Sequence, residues 1–117
     1  MRSSQALECF AALSQDTRLR IVRLLVKAGE KGISAGGIAD EVGVSASNVS
    51  FHLKELERSG LLAQRREARS IIYAANYAVL RGLIGFLMED CCGGRPEICA
   101  PEMPSCKPSM KRTKANV

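Results

Sequence analysis

Residues 34–59 read SAGGIADEVGVSASNVSFHLKELERS, two amphipathic stretches held apart by a glycine. In the first, 34–42, Ser34 caps a short helix, although Gly36 and Gly37 each cost roughly 1 kcal/mol against alanine. Gly43 ends that helix and leaves a tight turn before Ser45. The second stretch, 45–59, sets Val49, Leu53 and Leu56 on one face, with Ser47, Asn48, Ser50, His52, Lys54 and Arg58 largely off it. Helix, glycine turn, helix is the helix-turn-helix pattern, whose second helix lies in the major groove of DNA.

Working outward, residues 4–13 (SQALECFAAL) place Ala6, Leu7, Phe10, Ala11 and Leu13 at helical spacing, which predicts a short amphipathic helix. Cys9 stands beside that stripe as core filler or a surface thiol. The next helix opens with Asp16 as N-cap, turns Leu19, Val22, Leu25 and Val26 inward and Arg18, Arg20, Arg23 and Lys27 outward, and stops at Gly29. After Gly60 the period changes: LLAQRREARSIIYAAN has two β-rich arms around Arg66-Glu67-Ala68-Arg69, which predicts a hairpin, a wing. From Asn76 the pattern returns to helix, with Tyr77, Leu80, Leu83, Ile84 and Leu87 on one stripe, ending near Asp90. All four prolines lie beyond it.

The predicted fold is mainly α (α+β): a winged helix-turn-helix of five helices with a β-hairpin wing. Residues 1–92 form the DNA-binding and dimerisation domain, and 93–117 a Pro/Gly-rich, thiol-bearing loop and basic flexible tail. With 117 residues, 46% of them hydrophobic, the chain can bury one modest core, and a partner chain would help cover the rest. No stretch reaches the roughly 18 apolar residues of a membrane span, and the amino terminus lacks the order of a signal peptide, so the expectation is a cytoplasmic protein with no membrane partner.

The net charge of +5 suggests an anionic partner, but Lys107, Lys111, Arg112 and Lys114 carry most of it, and without them the chain stands at +1. The case for nucleic acid therefore rests on where the bases sit. Ser45, Ser47, Asn48, Ser50, His52 and Lys54 are candidate contacts on the recognition helix, with hydroxyls suited to phosphate and Asn48 to an adenine edge. Arg65, Arg66 and Arg69 on the wing reach for backbone or minor groove. A solvated helix face and a hairpin charged for solubility are the bland readings of the same residues. A single histidine, His52, inside the recognition helix leaves no acid-base pair for an enzyme.

The order of these elements, with Asp16-Thr17-Arg18-Leu19-Arg20-Ile21, Val49-Ser50-Phe51-His52-Leu53-Lys54-Glu55-Leu56 and Ser59-Gly60-Leu61-Leu62, resembles the ArsR/SmtB family of metal-responsive repressors over residues 5–92. The resemblance implies a homodimer joined through the first and last helices, so that Tyr77, Leu80, Ile84 and Leu87 become partly intersubunit. It also implies double-stranded operator DNA with inverted repeats as the partner. The family places inducer sites in several elements. The Cys-x-Cys of some arsenic sensors is missing from SAGGIADEV, and the Asp/His set of the zinc sensors is missing from the last helix. What remains resembles arsenite sensors with a Cys-Cys pair at the end of that helix and a third cysteine beyond.

Five cysteines in a reducing compartment point to metal or redox chemistry before a disulfide framework. Thiolates select soft ions, and a three-coordinate As(III) or Sb(III) centre takes three of them. The expected inducer site is Cys91, Cys92 and Cys99, with Gly93-Gly94 releasing the backbone from helical geometry and Cys106 an optional ligand. No organic cofactor is expected. Four thiols would also suit zinc, cadmium or lead, a disulfide from Cys99 to either vicinal cysteine would make a redox sensor, and structural zinc in a constitutive DNA-binding protein is a further alternative.

Overall fold

The computed structural model describes residues 1–89. Its elements run α1 (Ser3–Leu13), α2 (Asp16–Ala28), β1 (Ile33–Ser34), α3 (Ala35–Val42), α4 (Ala46–Arg58), β2 (Leu62–Glu67), β3 (Ser70–Ala75) and α5 (Tyr77–Leu87). This is the expected winged helix-turn-helix, five helices and a small antiparallel sheet. The chain divides inside α5, between Leu80 and Arg81. The expected domain boundary at residue 92 lies outside the described residues.

Local chemistry sets the helix-turn-helix. Ser34 Oγ accepts the Gly37 N–H at 3.1 Å and starts α3. Gly43 ends it at φ 71°, a left-handed conformation that glycine enters without steric penalty. Ser45 Oγ then accepts the Asn48 N–H at 3.3 Å and starts α4. Val49, Leu53 and Leu56 are buried, each contributing about 1.5–3 kcal/mol by leaving water. They join Ile21, Leu25, Ile38 and Leu61 in the core.

The sheet has strand order β1-β3-β2, with Leu62 opposite Ala75 and Glu67 opposite Ser70, so Ala68 and Arg69 form the wing tip. Ala68 carries φ 54°, a left-handed conformation that costs a non-glycine residue about 1 kcal/mol. The strand β1, with Ile33 opposite Tyr73, was not anticipated. It depends on Gly32, where a Cβ would stand 2.5 Å from the Tyr73 carbonyl oxygen.

Two helices depart from the sequence expectation. In α1 the buried residues are Ala6, Cys9 and Ala12, while Leu7 is 67% and Phe10 36% exposed. Small side chains let α1 lie close on α2 and α4, and the large apolar ones are turned outward. In α2 the cap is Gln15, whose Oε1 accepts the Arg18 N–H at 2.8 Å, and Asp16 is already helical. Ile21, Val22 and Leu25 are buried, whereas Leu19 and Val26 are exposed. The helix is rotated about its axis by part of a turn from the expected orientation, so that Thr17, Ile21, Val22 and Leu25 face the core.

In α5, Asn76 Oδ1 accepts the Val79 N–H at 3.2 Å and caps the helix. The Tyr77 hydroxyl donates to the Val26 carbonyl at 2.9 Å, tying the start of α5 to the end of α2. Further along, Leu83 is buried, and Ile84 and Leu87 are exposed.

Candidate nucleic-acid interface

The outward face of α4 carries Ser47, Asn48, Ser50, Phe51 and Lys54, all exposed, opposite the buried Val49–Leu53–Leu56 stripe. Ser45 is exposed too, but its hydroxyl is engaged in the cap and lies 3.4 Å from Ser47 Oγ. The serines and Asn48 are short and polar and sit in the first two turns, next to the helix start with its unpaired N–H groups.

His52 is placed differently. It is half-buried on the flank of α4, and its Nδ1 is buried with no hydrogen-bond partner among the described residues. Burial, and secondarily the Arg18 guanidinium on α2, hold its pKa below the ordinary 6.5, so the ring is neutral at physiological pH. Its edge meets Phe51, with ring centroids 5.5 Å apart and planes at 64°. His52 therefore braces the exposed face more than it extends it.

The wing arginines also divide. Arg65 donates to the carbonyls of Glu30 at 3.2 Å and Lys31 at 2.7 Å, and its Nε donates to Glu67 at 2.7 Å. That guanidinium joins the wing to the turn ahead of β1. Arg66 and Arg69 are exposed near the tip. The sequence put all three on the wing; which of them faced the protein depended on the β1 turn, a neighbour the sequence did not announce.

Cys9 is fully buried, and its thiol donates to the Ser59 carbonyl at 3.5 Å. Burial and then Glu8 push its pKa above 9.0, so it is a protonated core side chain. Cys91, Cys92, Cys99 and Cys106 lie outside the described residues. Among the described residues no three His, Cys, Asp or Glu side chains gather as a metal site.

A helix-turn-helix domain model matches residues 13–65. The HTH-type transcriptional regulator YgaV of Escherichia coli K12 is 32% identical over 90 residues, covering 77% of this chain and 89% of that one. Among solved structures, an ArsR-like transcriptional regulator from Rhodococcus sp. RHA1 is similar at 28% identity and TM-score 0.62, covering 84% of this chain and 95% of that one. This chain is an ArsR-family winged helix-turn-helix transcriptional regulator. The ArsR-family relatives also include the homodimeric DNA-binding domain of Mb0332 from Mycobacterium bovis, at 27% identity and TM-score 0.60 over 74% of this chain and 81% of that one. As a helix-turn-helix regulator the protein binds DNA, and α3, Gly43 and α4 form its helix-turn-helix. No helix among its described residues is long and apolar enough to cross a membrane.

Proposed function

We propose that this regulator is a metalloid-responsive repressor of the cytoplasm. A homodimer holds double-stranded operator DNA and releases it when As(III) or Sb(III) is taken by Cys91, Cys92 and Cys99, with Cys106 optional. The observation that carries this reading is the distribution of thiols. Cys9 is protonated and closed in the core, so soft-ion chemistry falls to four cysteines grouped between residues 91 and 106, directly after α5 in the sequence. Three thiolates match the coordination preference of trivalent arsenic or antimony.

On the DNA side, Asn48 is assigned to a base edge, Ser47, Ser50 and Lys54 to the groove and its phosphates, and Arg66 and Arg69 to the backbone beside it. Ser45 shapes the helix start. His52 and Arg65 hold the reading face and the wing in place. The dimer is supported by large apolar side chains left exposed on α1 (Leu7, Phe10) and on α5 (Ile84, Leu87). Induction requires that the inducer lower the affinity for DNA, and DNA then lowers the affinity for inducer by the same factor.

The experiment is release of fluorescent operator from the reduced protein, titrated with arsenite, antimonite and Zn²⁺, in the native chain and in Cys99→Ser. Release by metalloid alone, lost in the variant, is the expected result. Release by zinc, cadmium or lead, or only after oxidation, would replace this reading with a divalent-metal or thiol-redox regulator. The presence of Cys106, a fourth thiol, is what keeps that second reading in view.

A further inference from the structure

Phe51 is 57% exposed, the one large apolar side chain left in water on α4. A single exposed hydrophobe needs no explanation by itself. Its position does. Ser47 lies four residues before it, Asn48 three before and Lys54 three after, so these exposed polar side chains surround it on the helix surface. No apolar neighbour among them extends it into the contiguous patch that a protein partner would cover. It projects from the face opposite Val49, Leu53 and Leu56, and the half-buried His52 ring packs beside it in a T-shaped contact.

An apolar group at the centre of a major-groove reading face has one apolar counterpart there, the C5 methyl of thymine. We infer that Phe51 reads a thymine methyl in each operator half-site, which makes it a specificity-determining residue alongside the polar contacts. The inference rests on the reading of α4 as the element that enters the groove.

The test uses the intact chain and an operator selected by that chain from a random duplex pool, with each thymine replaced in turn by deoxyuridine, which lacks only the methyl. The expected result is one thymine per half-site whose replacement weakens binding roughly four-fold, the scale of one methyl group returned to water. Phe51→Ala should bind more weakly and lose that sensitivity, while Phe51→Leu should retain part of it. Because Phe51 is exposed, circular dichroism of Phe51→Ala should match the parent. Equal affinity for every deoxyuridine operator, or unchanged sensitivity in Phe51→Ala, would overturn the inference. Asn48→Ala and Lys54→Ala separate the two levels. If they weaken operator binding while deoxyuridine does not, only the role of Phe51 fails; if they leave binding intact, α4 is not the reading element and the inference falls with it.

Discussion

Helices α1 and α4 are both amphipathic, yet they sort their side chains by opposite rules. In α4 the large apolar residues Val49, Leu53 and Leu56 go inward and the short polar ones outward, with Phe51 the one large apolar exception. In α1 the small residues Ala6, Cys9 and Ala12 go inward, and Leu7 and Phe10 are left in water. A helix that exposes its larger hydrophobes is completed by another chain, whereas one that exposes serine, asparagine and lysine is completed by a polar ligand. The outward faces of α1 and α4 thus differ in kind, the first largely apolar and the second largely polar.

The contrast can be broken most forcefully at Leu53. Truncating this residue, 1% exposed, in Leu53→Ala should cost about 2–5 kcal/mol in urea unfolding, because transfer free energy is lost and a cavity is left behind. A loss below about 1 kcal/mol would mean that α4 is not anchored as described. Next comes Cys9→Leu, which overfills the close contact of α1 with α2 and α4. A destabilisation of about 1–3 kcal/mol is expected by the same measurement, and a neutral result would show that α1 has room to spare.

A smaller effect attaches to His52. Its folded pKa is below the ordinary 6.5, so between the two values the unfolded chain binds more protons than the folded one. Stability is full above 6.5 and declines as pH falls through the folded pKa. Urea midpoints measured from pH 7.5 to 5 should show this decline, and His52→Gln should flatten it. The mildest change is expected from Leu7→Ser: stability of the monomer within about 0.5 kcal/mol of the parent, since that side chain is already 67% exposed. Sedimentation should nevertheless show a weaker dimer. A fully intact dimer would assign the outward face of α1 to some other role.

Much of this was legible in the sequence because the helix-turn-helix and the wing obey local rules. Ser34, Gly43 and Ser45 act within one turn of themselves, and the β-rich arms around Arg66-Glu67-Ala68-Arg69 pair across the tip between them. Where the expectation failed, the deciding partner was distant or small. The inward face of α1 is chosen by how closely α2 and α4 approach, a distance to which periodicity is blind. Asp16 is the better intrinsic cap, yet Gln15 holds the position because the chain enters α2 one residue earlier. β1 is two residues long, below the reach of any alternation pattern. His52 and Arg65 are polar residues on the recognition helix and the wing, and only the burial of His52 beside Arg18 and the bonds of Arg65 to Glu30 and Lys31 show them to be supports.

The clamp at Arg65 has a mechanical consequence. With its guanidinium fixed to two carbonyls of the turn before β1 and to Glu67, the lower half of the wing and that turn move as one lever, and bending is confined to the tip around Ala68 and Arg69. The span of the arm is therefore set before any duplex arrives, and only fingertip adjustment is left to be ordered on contact. On the proposed DNA-binding reading, an arm built this way would favour operators whose backbone already passes at the right height, and groove width would join base sequence in the choice among duplexes.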